Sequence, residues 1–124
     1  MSALVDARVH LGKAREFLEA AELNHDLDLH TAATSNAVTS GINSKDAICL
    51  TLTGRSGKAD NHAQAVAELK ATGTVGRSLA PTLDRLLRLK PKAQYQTESI
   101  SAATAAKSIE WAARVLEVAE ATVR

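Results

Sequence analysis

Apolar positions recur along most of this chain in alternating steps of three and four. That spacing marks helices that bury one face. Leu4, Ala7, Leu11, Ala14, Leu18 and Ala21 form the first such stripe, and Glu16, Glu19 and Glu22 fall largely off it. The spacing predicts a first helix over about Ser2–Asn24. His25-Asp26-Leu27-Asp28 follows as a connection, in which Asp26 or Asp28 can cap the next helix. A second helix is expected over about Leu29–Leu52, with Ala33, Ala37, Gly41, Ser44 and Ile48 on one face. That face is small and partly polar, so a neighbouring backbone can come close. Asn36 reads as part of an exposed polar face; Asn43 and Asp46 either share it or line a polar site.

Gly54 and Gly57 then interrupt the helical pattern and predict a turn. Asp60 or Asn61 caps a third helix, with Gln64 placed to close a capping box from Asn61. This helix ends near Gly73. Residues 74–96 form a further helical stretch with Leu79, Leu83, Leu86 and Leu87 as core positions. Pro81 is expected to start or kink a helix there, and Pro91 to end or kink one. Ser101 caps a last helix reaching about Val123. Its stripe is Ala105, Ile109, Ala112, Leu116, Ala119 and Val123. Trp111 lies off that stripe, under a loop or at a dimer contact. No linker, low-complexity segment or repeat divides the 124 residues, so a single all-α domain over 1–124 is expected.

Composition supports helices and narrows the setting. Aromatic residues make up only 2% of the chain, whereas strands favour aromatic and β-branched side chains. No apolar run has the length to span a bilayer, and the N-terminus reads as lacking a signal-peptide core. The one cysteine, Cys49, has no intramolecular partner, which fits a reducing, cytoplasmic setting. The net charge of +1 is unevenly spread. Residues 45–92 carry nine basic and four acidic side chains, while residues 1–44 carry three and six. The basic third therefore contains the Gly54–His62 turn, a modest anion-attracting patch or an ordinary solvated surface.

That turn holds the candidate chemistry. Arg55 stands at its entrance and His62 at its exit, with six residues between them. A guanidinium can hold a phosphate and an imidazole can move protons near neutral pH. His62 falls in the first turn of the third helix, where exposed N–H groups favour anions. The turn is not a phosphate-binding P-loop. Ala59 replaces the Ser or Thr that would hold magnesium, Leu52 stands where the first Gly belongs, and no strand precedes it. Glu22 and His25 have the Glu-x-x-His spacing of di-iron bundles, but no second pair exists, so no metal or other cofactor is expected. His10, His25 and His30 read as surface residues.

These elements resemble a known family, the HEPN domains (higher eukaryotes and prokaryotes nucleotide-binding), and among them small single-domain proteins typical of actinobacteria. The resemblance covers most of the chain. It rests on Ala14-Arg15-Glu16-Phe17-Leu18-Glu19-Ala20-Ala21, Ala47-Ile48-Cys49, and Gly54-Arg55 through Asp60-Asn61-His62-Ala63-Gln64-Ala65-Val66. Leu86-Leu87 with Lys90, Ala93-Gln94-Tyr95 and the Ala-rich helix after Ser101 complete it. The family's hallmark is an Arg, four to six residues, and a His; Arg55 and His62 match at the long end. Ser56 follows the Arg, where catalytic members often carry Asn, Asp or His.

The resemblance implies an up-and-down bundle of four to five helices that forms a homodimer, with two Arg–His pairs facing one cleft. It implies a metal-independent endoribonuclease in which His62 takes the proton of a ribose 2′-OH and Arg55 holds the phosphate. Cleavage would leave a 2′,3′-cyclic phosphate and a 5′-OH, and RNA would be the ligand. Ser56, Lys58, Asp60 and Tyr95 are accessory candidates: Lys58 for phosphate contact, Tyr95 for hydroxyl contact, Asp60 for orienting His62. A surface charge, a packed ring and a helix cap are the competing readings of those last three. A toxin or defence effector with an antitoxin or other protein partner belongs to the same resemblance. The alternative is a non-catalytic HEPN module that binds nucleotide, RNA or a protein.

Overall fold

The computed structural model describes residues 2–57 and 61–123. Among these the chain forms helices and no strand, as its apolar periodicity implies. The first two helices, α1 (Ala3–Asp26) and α2 (His30–Thr53), make a long antiparallel hairpin. A shorter pair follows, α3 (His62–Lys70) and α4 (Thr74–Leu87). The brief α5 (Lys90–Gln94) leads into α6 (Ala102–Thr122), which packs on α1, α2 and α4. α2 is the central helix and touches all five others. No described helix is long and apolar enough to cross a membrane.

Local chemistry sets most of the boundaries. Ser2, Asn61 and Ser101 each accept a hydrogen bond from the backbone N–H three residues on, which satisfies an orphan donor of the following helix. The expected cap of α2 by Asp26 or Asp28 does not form. Leu29 occupies the N-cap position without a side-chain bond. The turn is closed by backbone instead, with Leu29 N–H donating to the Asn24 carbonyl at 2.8 Å. Asp28 takes the left-handed position this turn needs, at φ 60°, which Asp tolerates better than most residues. α4 runs through Pro81, whose ring is exposed. Proline removes one intrahelical hydrogen bond, to the carbonyl of Arg77, and Arg77 is itself at the surface.

The core is built from small residues on α1, α2 and α6 and from leucines on α4. Ala7, Ala14, Ala21, Ala37, Ala112 and Ala119 are fully buried, which lets the long helices approach closely. Leu79, Leu83, Leu86 and Leu87 fill the space beneath them. Polar bonds fix the register of the hairpin. Ser40 Oγ donates to the Ala14 carbonyl at 2.7 Å, and Asn36 donates to Asn24 Oδ1 at 2.8 Å. Asn36 thus ties α2 to α1 and is not simply an exposed polar residue. Trp111 packs half-buried against the main core.

Candidate functional site

The site begins where α2 stops. Gly54 ends the helix at φ 78°, a left-handed conformation that glycine adopts without a Cβ penalty, and its N–H donates to the Leu50 carbonyl. The chain then runs back along α2 and is pinned there by a buried ionic cluster. Lys45, only 2% exposed, is the centre of this cluster. Its ammonium donates to Ser56 Oγ at 2.8 Å and Asp46 Oδ1 at 3.1 Å, and lies 3.4 Å from Glu68 Oε1. Ser56 in turn donates to Asp46 Oδ1 at 2.6 Å, and the Gly57 N–H donates to Glu68 Oε2. One residue from α2, one from the loop and one from α3 therefore share the Lys45 charge. The loop reaches α3 already fixed on both helices.

Neither Lys45 nor Glu68 figures in the sequence reading. A signal existed for Lys45, which lies four residues after Gly41 and three before Ile48, both on the small inner face of α2. Asn43 and Asp46, whose sequence reading was open, belong to this polar region. Asn43 Oδ1 accepts from His10 Nδ1 at 2.8 Å, and Asp46 Oδ2 lies 3.9 Å from the same nitrogen. His10 is thus half-buried against α2. His25 and His30 also depart from the surface reading: their rings pack 5.3 Å apart, with both Nδ1 atoms buried. Cys49 is buried beneath the cluster, and burial pushes its thiol up to about 11, although the Lys45 charge opposes this.

Two cavities flank the pinned loop. One, of about 580 Å³, is lined by Arg55 and Ser56 together with Asp6, Val9, His10 and Leu50. The other, of about 270 Å³, is lined by Lys45, Asn61, His62, Lys90 and Tyr95 and by the apolar Ile42 and Leu87. Asp46 of α2 and Gly57 line both, so the two cavities adjoin there. The two hallmark residues therefore open onto different cavities of one chain. Arg55 is exposed, and its guanidinium forms no ion pair among the described residues. Tyr95 joins His62, and Ser56 joins Arg55. Lys58 and Asp60 lie outside the described residues.

His62 is held from the far side. Its Nε2 lies 2.7 Å from Asp84 Oδ1 on α4, and Arg88 bonds the other carboxylate oxygen at 2.9 Å. The hydrogen bond from His62, assisted by the Arg88 charge, holds the Asp84 carboxyl below its ordinary value of 3.8. An ionised carboxylate only accepts, so Nε2 carries a proton, and in the neutral imidazole Nδ1 is then the lone-pair nitrogen. Among the described residues no group of three or more His, Cys, Asp or Glu side chains could hold a metal ion. Compared with models of protein families the chain matches none, and no curated protein matches it in sequence.

Proposed function

We propose that this protein is a HEPN-like helical module that binds RNA or a nucleotide in the cleft beside His62. The observation that carries this reading is the cavity of about 270 Å³ at the N-terminus of α3, lined by the apolar Ile42, Ala65 and Leu87 together with Lys45, His62 and Lys90. Helix N-termini favour anions, and this one lies in the basic third of the chain. Binding needs only one such cleft. Cleavage needs the proton acceptor and the phosphate-holding group on one reacting centre, and here Arg55 faces the other cavity.

One observation favours the second reading, metal-independent cleavage by a symmetric homodimer. Asp84 orients His62 and leaves Nδ1 as the accepting nitrogen, which is the base-and-orienter arrangement of proton-transfer sites. In that reading His62 removes the proton of a ribose 2′-OH, which attacks the adjacent phosphorus. The His62 of a second copy, in its protonated form, gives its proton to the leaving 5′-oxygen, and Arg55 of that copy stabilises the added charge. A toxin or defence role and an antitoxin or other protein partner rest on the family resemblance alone, and a cytoplasmic setting on the single Cys49.

The test is anisotropy of a fluorescent single-stranded RNA titrated with the protein, with the strand checked for cleavage in EDTA. The binding reading expects salt-dependent affinity that falls several-fold in His62→Ala and little in Arg55→Ala. The nuclease reading expects cleavage that both substitutions abolish, His62→Ala by about 10²–10⁴-fold. Failure of wild type to bind RNA or a nucleoside monophosphate, with no cleavage, would remove both.

A further inference from the structure

The chain has a single tyrosine, and it is 72% exposed. Tyrosine ordinarily buries much of its ring and uses the hydroxyl as a polar handle. Here the ring stands at the edge of the His62 cavity, just after the short α5, with its backbone N–H tied to the Pro91 carbonyl. Leu87 is buried behind the cavity, and Ile42 and Ala65 are half-buried beside it. Apolar side chains and an exposed aromatic ring, with Lys45, Asp46 and His62 lining the same cavity, suit a planar ligand that carries charge at one edge. The volume of about 270 Å³ lies just below the usual range for drug-sized ligands of roughly 300–1,000 Å³. It admits one ring system, not a stacked pair of bases.

Asn61 adds a directional group. Its side-chain oxygen accepts from the Gln64 N–H at 3.0 Å, so the amide nitrogen is the end left to donate at the cavity edge.

We infer that this cavity takes a single unpaired nucleobase, with the Tyr95 ring stacked on it and the attached phosphate at the N-terminus of α3. The inference rests on the binding reading above and adds to it a choice of ligand. A base in a duplex is already stacked and paired, and its edge and both faces are unavailable to a cavity of this size. A single-stranded RNA or a free nucleotide presents the base without that penalty. The function of Tyr95 is then carried by the ring, whereas its hydroxyl was the expected group from sequence.

The experiment compares four probes on wild type by anisotropy or competition. They are a labelled single-stranded RNA, the same strand lacking its bases, its duplex, and a nucleoside monophosphate as competitor. The single strand is expected to bind at least about tenfold more tightly than the baseless strand and the duplex. Tyr95→Ala should remove most of that advantage, since stacking on an aromatic side chain contributes about 1–3 kcal/mol, or roughly 5–150-fold. Tyr95→Phe should keep it. Displacement of the strand by the monophosphate would support the same pocket with free nucleotide as the source of the base. Equal binding of normal and baseless strands would overturn the inference and leave the binding reading intact. Equal losses in Tyr95→Phe and Tyr95→Ala would also overturn it, because the hydroxyl would then be the group in contact. Binding of no probe would overturn both.

Discussion

Lys45 carries a full charge into the interior, where an isolated ammonium would be prohibitively unfavourable. It is tolerated because Asp46 and Glu68 neutralise it and Ser56 accepts a second hydrogen bond beside that to Asp46. Such a cluster adds little net stability, since desolvation offsets attraction. Its effect is on geometry: it ties Ser56 to α2 and Gly57 to α3. Asp84 does the same for His62 at the surface. Its carboxyl is lowered by the His62 hydrogen bond and by Arg88. The folded value therefore lies below the unfolded one. Its contribution to stability is complete above the ordinary carboxylate range and is lost as pH falls through the lowered value. A carbon-detected titration of Asp84 should give a midpoint below 3.8 in wild type. In His62→Ala that midpoint should rise toward the ordinary value. An unchanged midpoint would mean that the pair does not form in solution.

At the scale of elements, the join between α3 and α4 decides where His62 stands. Gly76, buried on α4, lies against the end of α3, and a Cβ there would collide with the Leu69 carbonyl and Thr72 Oγ1. A backbone carbonyl cannot swing away as a side chain can. Gly76→Ala should therefore destabilise the fold by about 1–3 kcal/mol, as overpacking does, and should weaken RNA binding by displacing α3. Thermal unfolding checks the first effect; an unchanged melting temperature would show that the two helices are not packed so closely. These elements were largely legible in the sequence. The three-four stripes of α1 and α6, the small face of α2 and the caps Asn61 and Ser101 all follow from residue type and spacing. The Leu29 N-cap did not, because backbone closure overrode the local capping preference of Asp26 and Asp28. The site was only half legible. Arg55 and His62 stand out by type, but the partition between them depends on Lys45 meeting Glu68 from 23 positions away in sequence, which no local pattern encodes.

For the whole molecule, the partition has a consequence for any cleavage chemistry. Arg55 and His62 of one chain line separate, adjoining cavities, and in the nuclease reading the Arg55 of one copy serves the His62 of another. In a two-fold dimer each site would then draw residues from both chains, one His62 accepting a proton and the other donating one. This makes subunit exchange the sharpest test of that reading. Arg55→Ala alone and His62→Ala alone should each form inactive dimers, because every site lacks a group it needs. Mixed in equal amounts with wild type and exchanged, His62→Ala should form heterodimers in which every site lacks one of its two His62 side chains. With random pairing about half of all dimers are mixed and about a quarter are wild type, so activity should fall to about a quarter of that of the same amount of wild type. Cleavage of a fluorescent RNA in EDTA measures the loss, and light scattering at micromolar protein measures the dimer. A fall to about a quarter requires sites that span two chains. Activity of about half in demonstrably exchanged dimers would confine each Arg55–His62 pair to one chain, and a monomeric wild type that still cleaves would exclude the shared site.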